Sequence, residues 1–287
     1  MMLFSLFLKI GFSQSEDLLS LIDDEETTEY TKASFKTNRV INMHSLENTA
    51  GGVFDFKISH RFGFLSGGAY ELFGLDQAFI RIGGDYGITD WLGVGFGRSS
   101  FQKAFDGFVK VKLLRQSSGK TNMPLTVAYA GGATLNSVKF DNPDRENYFS
   151  SRLNYFHQLI IGRKFSEGVS FEILPTVVHR NLVLTNVEKN DVMALGAAGR
   201  IKLSKRTAIN AEYIYVLPNQ IAEPFQNSLS VGFDIETGGH VFQLHFTNST
   251  SMLEPGFIAE TTGKFFDGDI HFGFNVSRVF TVAKRKL

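Results

Sequence analysis

Apolar and polar residues alternate along most of the chain. Between Asp269 and Phe280 one face reads Phe272, Phe274, Val276, Arg278 and Phe280, and the other reads His271, Gly273, Asn275, Ser277 and Val279. Strict alternation over this length is a strand signature. From Gly52 the pattern repeats, with Phe54, Phe56, Ile58, Phe62 and Phe64 opposite Asp55, Lys57, Ser59, Arg61 and Gly63. Further strands are expected over Asp76–Ile88, Trp91–Phe101, Lys103–Arg115, Pro124–Leu135, Arg152–Phe165, Val169–Asn181, Asp191–Leu203, Thr207–Leu217, Asn227–Thr237 and Gly239–Asn248. Asp191–Leu203 is rich in Ala and Gly, and its two faces are ambiguous. In the others one face is heavily apolar and the opposite one small and polar. That polarity fits lipid outside and a polar lumen inside. The expected fold is all-β: a single antiparallel up-and-down transmembrane β-barrel of about 12 strands.

The links support closure. Thr89-Asp90, Ser166-Glu167-Gly168, Ser204-Lys205-Arg206 and Gly238-Gly239 are tight turns, and longer links lie at Leu65–Leu75, Asn136–Ser151, Leu182–Asn190, Pro218–Gln226 and Ser249–Gly268. Short and long alternate as periplasmic turns and external loops do. Two links break the rule: the one near Gln102 is short, and Gln116–Met123 is long.

Composition agrees. The 287 residues include 29 Phe and 28 Gly but only 6 Pro, and the mean hydropathy of −0.04 suits a chain in which alternate residues face lipid. Balanced charge, 29 basic against 29 acidic, argues against a general nucleic-acid surface. The lack of Cys excludes a disulfide framework, a thiol nucleophile, Cys-ligated zinc and a lipid-modified N-terminal Cys. No apolar run reaches the ~18 residues of a spanning helix.

The chain divides into a signal-peptide remnant (1–15), an acidic periplasmic leader with an extended segment (16–51), the barrel (52–280) and a basic periplasmic tail (281–287). The leader carries Glu16, Asp17, Asp23, Asp24, Glu25, Glu26 and Glu29, and the tail Lys284, Arg285 and Lys286. Counting back twelve strands from a periplasmic C-terminal end puts Gly52 in the periplasm too. Phe35–Glu47 is therefore expected to be a periplasmic or lumen-docked piece rather than a thirteenth spanning strand.

Ile88-Thr89-Asp90-Trp91-Leu92-Gly93-Val94-Gly95 and Phe165-Ser166-Glu167-Gly168-Val169 resemble the periplasmic turns of Gram-negative outer-membrane barrels. More narrowly, Arg39-Val40-Ile41-Asn42, Ile58-Ser59-His60-Arg61-Phe62-Gly63 and Gly238-Gly239-His240-Val241-Phe242-Gln243-Leu244 resemble an uncharacterised barrel family common in the Bacteroidota. The resemblance implies the bacterial outer membrane, contact with its lipids and a barrel; it implies no chemistry. The last strand looks like the signal read by the barrel-insertion machinery, although Phe280 is followed by Thr281 to Leu287.

Candidate chemistry is sparse. Ser117-Ser118-Gly119-Lys120-Thr121 ends like a phosphate loop but lacks the leading Gly, and reads as a turn. Neither H-E-x-x-H nor G-x-S-x-G occurs, and neither an enzyme nor a cofactor is expected. Of seven His, His245 and His271 could meet across inward-facing positions, a two-ligand start for a metal site for which lumen hydrogen bonding is the plainer account. Asp141, Asn142, Asp144 and Glu146 crowd one loop without calcium-loop spacing.

Inward charge is uneven. Lys57, Arg61, Arg81, Lys110 and Lys112 lie on the first four strands with Asp55, Asp85 and Asp106, while Glu172, Glu212, Asp234 and Glu236 lie on strands seven to ten with Arg180. Closure sets these groups on opposite walls. If they meet, they close the lumen, leaving a structural or binding barrel with recognition loops. If water separates them, they set a transverse field across a narrow channel for small polar or zwitterionic solutes. The low wall at Gly93, Gly95, Gly97, Gly131, Gly132 and Gly232 favours a constricted pore.

Overall fold

A computed structural model describes residues 27–283 apart from 141, 145 and 184. The segment read as a signal-peptide remnant, most of the segment read as an acidic leader, and Lys284, Arg285 and Lys286 lie outside the described residues. The strands are β1 (Thr28–Tyr30), β2 (Val53–Phe64), β3 (Ala78–Gly87), β4 (Leu92–Ser99), β5 (Phe105–Leu114), β6 (Ser117–Gly119), β7 (Thr126–Leu135), β8 (Leu153–Lys164), β9 (Val169–Arg180), β10 (Asp191–Lys202), β11 (Thr207–Val216), β12 (Ser228–Thr237), β13 (His240–Thr247) and β14 (His271–Thr281). A short helix, α1, spans Glu254–Ala259. All strands except β1 and β6 form one closed barrel of twelve, antiparallel throughout. The seam closes where β14 pairs with β2, from Phe280 opposite Phe54 to His271 opposite Phe64.

Local chemistry sets the turns. The hydroxyls of Thr89, Ser166 and Ser204 each accept backbone N–H bonds from the residues two and three further on. Such side-chain caps imitate a backbone turn. The β12–β13 hairpin instead turns on Gly238 and Gly239, both at positive φ, as a two-residue hairpin requires. These turns define the short-turn end of the barrel; the other end carries the long loops.

Both sides of the wall follow the alternation. Phe96 is 61% exposed on the outer face, and Phe56, Phe171, Phe233 and Phe246 are exposed with it, while Asp55, Lys57 and Glu172 on the alternate positions are buried. A contiguous apolar exterior of this kind is costly in water and favourable in lipid. Among the described residues no helix is long and apolar enough to cross a membrane. The ambiguous strand also resolves: Val192, Ala194, Gly196, Ala198 and Arg200 of β10 point inward.

Both irregular links have a structural reason. Gln116–Met123 is long because its β6 pairs with β1, Thr28 opposite Gly119 and Tyr30 opposite Ser117, and so holds the incoming chain. The short link at Gln102 reaches inward instead, its Nε2 donating to Glu260 Oε2 at 3.1 Å. The expectation of Ser249–Gly268 as an external loop needs correction. Its first half folds into the barrel, and every residue of α1 is buried. Met252, Leu253, Phe257 and Ile258 supply the apolar surface that makes burial favourable.

Candidate functional site

The lumen is occupied by the chain itself. Residues 34–47 form a re-entrant hairpin in which Val40 N–H donates to Met43 O (2.8 Å) and Ser45 N–H to Asn38 O (3.0 Å). It enters and leaves at the short-turn end. Thr31 N–H bonds Gln116 O on the way in, and Gly52 N–H bonds Gly87 O on the way out, each at 2.8 Å. On one side Phe35, Val40, Met43 and Leu46 join an apolar cluster with Phe108, Phe156, Ile160, Leu174 and Val178 of β5, β8 and β9.

On the other side the hairpin meets charge. The Glu212 carboxylate accepts the backbone N–H groups of Ile41 (3.1 Å), Asn42 (2.9 Å) and Met43 (3.0 Å). Glu172 accepts Leu46 N–H at 2.9 Å. From across the lumen Lys110 Nζ donates to the carbonyls of Ser45 and Glu47, both at 2.5 Å. Gln243 and Asn275 donate to the carbonyls of Val40 and Ile41. Successive N–H groups form a cradle for an anion, and here the wall supplies the anion. The sequence left two outcomes for the opposed charges, direct contact or separation by water. The structure has a third: a peptide hairpin lies between them, N–H groups toward the carboxylates and carbonyls toward the lysine.

Most of the remaining inward charges are paired at close range. Lys57 donates to Asp85 at 2.6 Å, and Asp85 also accepts from Asn38. Arg81 Nε donates to Asp106 at 2.9 Å. Asp234 accepts from Gln243 at 2.8 Å. Glu236 is only half-buried and pairs with Lys36 of the hairpin stem, and Lys112 is half-buried toward the short-turn end. A buried charge without partners would be strongly unfavourable, and these pairs lower that cost.

Arg61 joins three parts of the molecule. Its guanidinium donates to Ser249 O (2.7 Å) and Ser251 O (2.8 Å) ahead of α1, and to Asn42 Oδ1 (2.8 Å) at the hairpin tip. Arg39 of the hairpin completes the junction with an ion pair to Glu254 at 2.6 Å, and His44 Nε2 stands 3.3 Å from the same carboxylate. Burial would raise the Glu254 carboxyl, but Arg39 and His44 outweigh it and hold it down at about 2. The sequence marked Arg39 and Asn42 only as part of a family-like run, with no role, and did not single out Glu254. The signal it did carry was an acid followed by Pro-Gly-Phe-Ile inside a supposed solvent loop.

At Gly95 and Gly97 the low wall is filled by neighbouring side chains. A Cβ at Gly97 would lie 2.5 Å from the Arg81 guanidinium, and one at Gly95 would collide with Asp85 and Phe108. The low wall makes room for side chains and opens no path. Gly131 faces outward under the Tyr129 hydroxyl. His245 and His271 do not form a metal pair. His245 Nε2 lies 3.2 Å from Arg61, while His271 bonds Phe62 O (2.7 Å) and Thr250 Oγ1 (2.9 Å). Among the described residues no group of three or more His, Asp or Glu is placed to hold a metal.

Solved structures with this architecture are outer-membrane proteins. The NanC porin aligns over 79% of this chain and 98% of its own, with 8% identity and a TM-score of 0.50. Omp33 of Acinetobacter baumannii covers 83% of this chain and all of its own at 9% identity and a TM-score of 0.41. OmpT of Vibrio cholerae covers 82% and 100% at 12% identity and 0.37. Identities this low speak for the fold alone. No curated protein matches the sequence. The aromatic exterior and the closed twelve-strand wall place the protein in the bacterial outer membrane. Residues 35–280 match the family described as "Membrane bound beta barrel domain (DUF5777)", a span that begins inside the hairpin and ends in β14, and the chain belongs to that family of barrels.

Proposed function

We propose that this protein is an outer-membrane barrel closed at rest, a structural or binding barrel rather than an open diffusion pore. One observation carries the reading: Glu212 holds three consecutive backbone N–H groups of the hairpin tip, which spans the lumen where a pore would run. Outer-membrane barrels keep their short turns in the periplasm. On that rule the hairpin enters from the periplasm and α1 from outside, and the two meet at Arg39 and Glu254. The long loops above α1 are then the surface left for recognition.

A second reading, a gated narrow channel for small polar solutes, draws support from the remaining space. Between the hairpin tip and β2, β3, β13 and β14 lies a cavity of about 30 Å³ lined by Arg39, Lys57, Arg81, Gln243 and Asn275. It has room for only a few water molecules, so passage would require the hairpin to move. Planar-bilayer recording of the purified protein separates the readings. A closed barrel is silent, and steady conductance steps appear once residues 36–47 are replaced by a flexible Gly-Ser linker. Steady conductance of the unaltered protein would overturn the proposal.

A further inference from the structure

The hairpin does not fill the short-turn mouth. Between its stem and β2, β12, β13 and β14 lies a cavity of about 440 Å³, open at that end. This is the size of a small-molecule site. Its apolar surface comes from Phe35, Val53, Val241 and Val279. Glu47, Asp55 and Glu236 bring three carboxylates to the lining, against one cation, Lys36, which Glu236 already engages. Asp55 accepts the Ser277 hydroxyl at 2.5 Å and stands 3.5 Å from Lys57, which is closer to Asp85. Asn38, 6% exposed, is in the lining too, and its side-chain oxygen has no hydrogen-bond partner. Neither amide atom of the neighbouring Asn48 has one. Buried polar atoms without partners are uncommon and unfavourable, so the lining retains hydrogen-bonding capacity.

We propose that this vestibule binds a small organic ammonium ion on a compact apolar body. The head group would donate to Asp55 and Glu236, and the body would lie on Phe35, Val241 and Val279. An anion of the same shape would face three carboxylates, and a neutral analogue would leave them without a new donor. The stem residues and the wall residues line the cavity together, so an occupant bridges hairpin and barrel. Binding requires no passage through the lumen and stands apart from the closed-barrel reading: a conducting protein could still bind, and a silent one could fail to.

The test uses the full chain folded in detergent micelles and three probes of one shape: benzylammonium, benzyl alcohol and phenylacetate, at equal ionic strength. Calorimetry and saturation-transfer NMR read the binding. Benzylammonium is expected to bind saturably and at least about tenfold more tightly than the other two, a gap of about 1.4 kcal/mol. Asp55→Asn with Glu236→Gln should remove that preference, and Val279→Trp should block the cavity, folding being checked by heat-modifiable gel migration. Equal binding of the three probes, binding unchanged in the variants, or no saturable binding of benzylammonium would overturn the proposal. The probe comparison on the unaltered protein decides even where a variant does not fold.

Discussion

The two sides of the lumen hold the same hairpin by different physics. On β5 and β7–β10 the inward surface is mainly Phe108, Ala128, Ala130, Phe156, Ile160, Leu174, Val178 and Val192, a packed apolar core in which Lys110 and Glu172 are the charges that reach the hairpin. On β2, β3 and β11–β14 the inward residues include Asp55, Lys57, Arg61, Arg81, Asp85, Glu212, Asp234 and Gln243, paired with one another, with the hairpin or, for Arg81, with Asp106 of β5. Apolar burial is non-directional and sets how strongly the hairpin stays. Hydrogen bonds to charged groups are directional and set its register. The cavities of about 30 and 440 Å³ both border the charged side. In the closed-barrel reading proposed above, a lumen lined with charge is sealed by the hairpin those charges hold.

Phe156→Ala probes the packed side and should have the largest effect. The ring is 1% exposed, and emptying such a site costs about 3–5 kcal/mol. Urea unfolding should show that loss, with the lumen still closed. On the lipid face, Phe56→Arg should reduce assembly by roughly 2–4 kcal/mol, read as folded yield in liposomes. By alternation alone, Lys57→Phe on the lumen face should cost far less than Phe56→Arg. The pair with buried Asp85 narrows that gap, and Lys57→Phe should itself destabilise the barrel. Glu212→Gln tests the polar side: it removes a charge that holds three N–H groups, about 1.5–3 kcal/mol. Unlike Phe156→Ala it should loosen the hairpin tip specifically, visible as faster proteolysis or spin-label mobility near Asn42. Equal effects of these two changes on the tip would erase the distinction between the walls.

The smallest effect expected is that of acid. Glu254 has a lowered pKa, so its contribution is present above the ordinary carboxylate range and lost only as pH falls through about 2. The junction with Arg39 should hold from neutral pH down to about pH 4. Loss of hydrogen-exchange protection in α1 between neutral pH and about pH 4, after correction for the intrinsic rate, would contradict it.

The wall was legible in the sequence because each strand has one lipid side and one lumen side, and a two-residue period records both. It failed only at Asp191–Leu203, where Ala and Gly occupy both faces: Ala194 and Ala198 point inward, while Ala197 and Gly199 do not. The hairpin was half legible. Strand parity and the poor alternation of Phe35–Glu47 pointed away from a spanning strand, but the partners of its peptide groups lie far along the chain, Glu212 being 170 residues from Asn42. The α1 segment was misread because long links between strands are normally solvent loops, and only its apolar run argued otherwise. Arg39 and Glu254, 215 residues apart, carry no local pattern that joins them.

The account rests on the hairpin occupying the lumen with its N–H groups on the wall carboxylates. Amide hydrogen exchange of the folded barrel tests this most directly. Ile41, Asn42, Met43 and Leu46 should exchange as slowly as the wall strands, and in Glu212→Gln the first three should speed up while Leu46, held by Glu172, remains slow. Exchange of all four at the rate of an unstructured peptide would mean that the hairpin lies outside the lumen, and the account would be wrong.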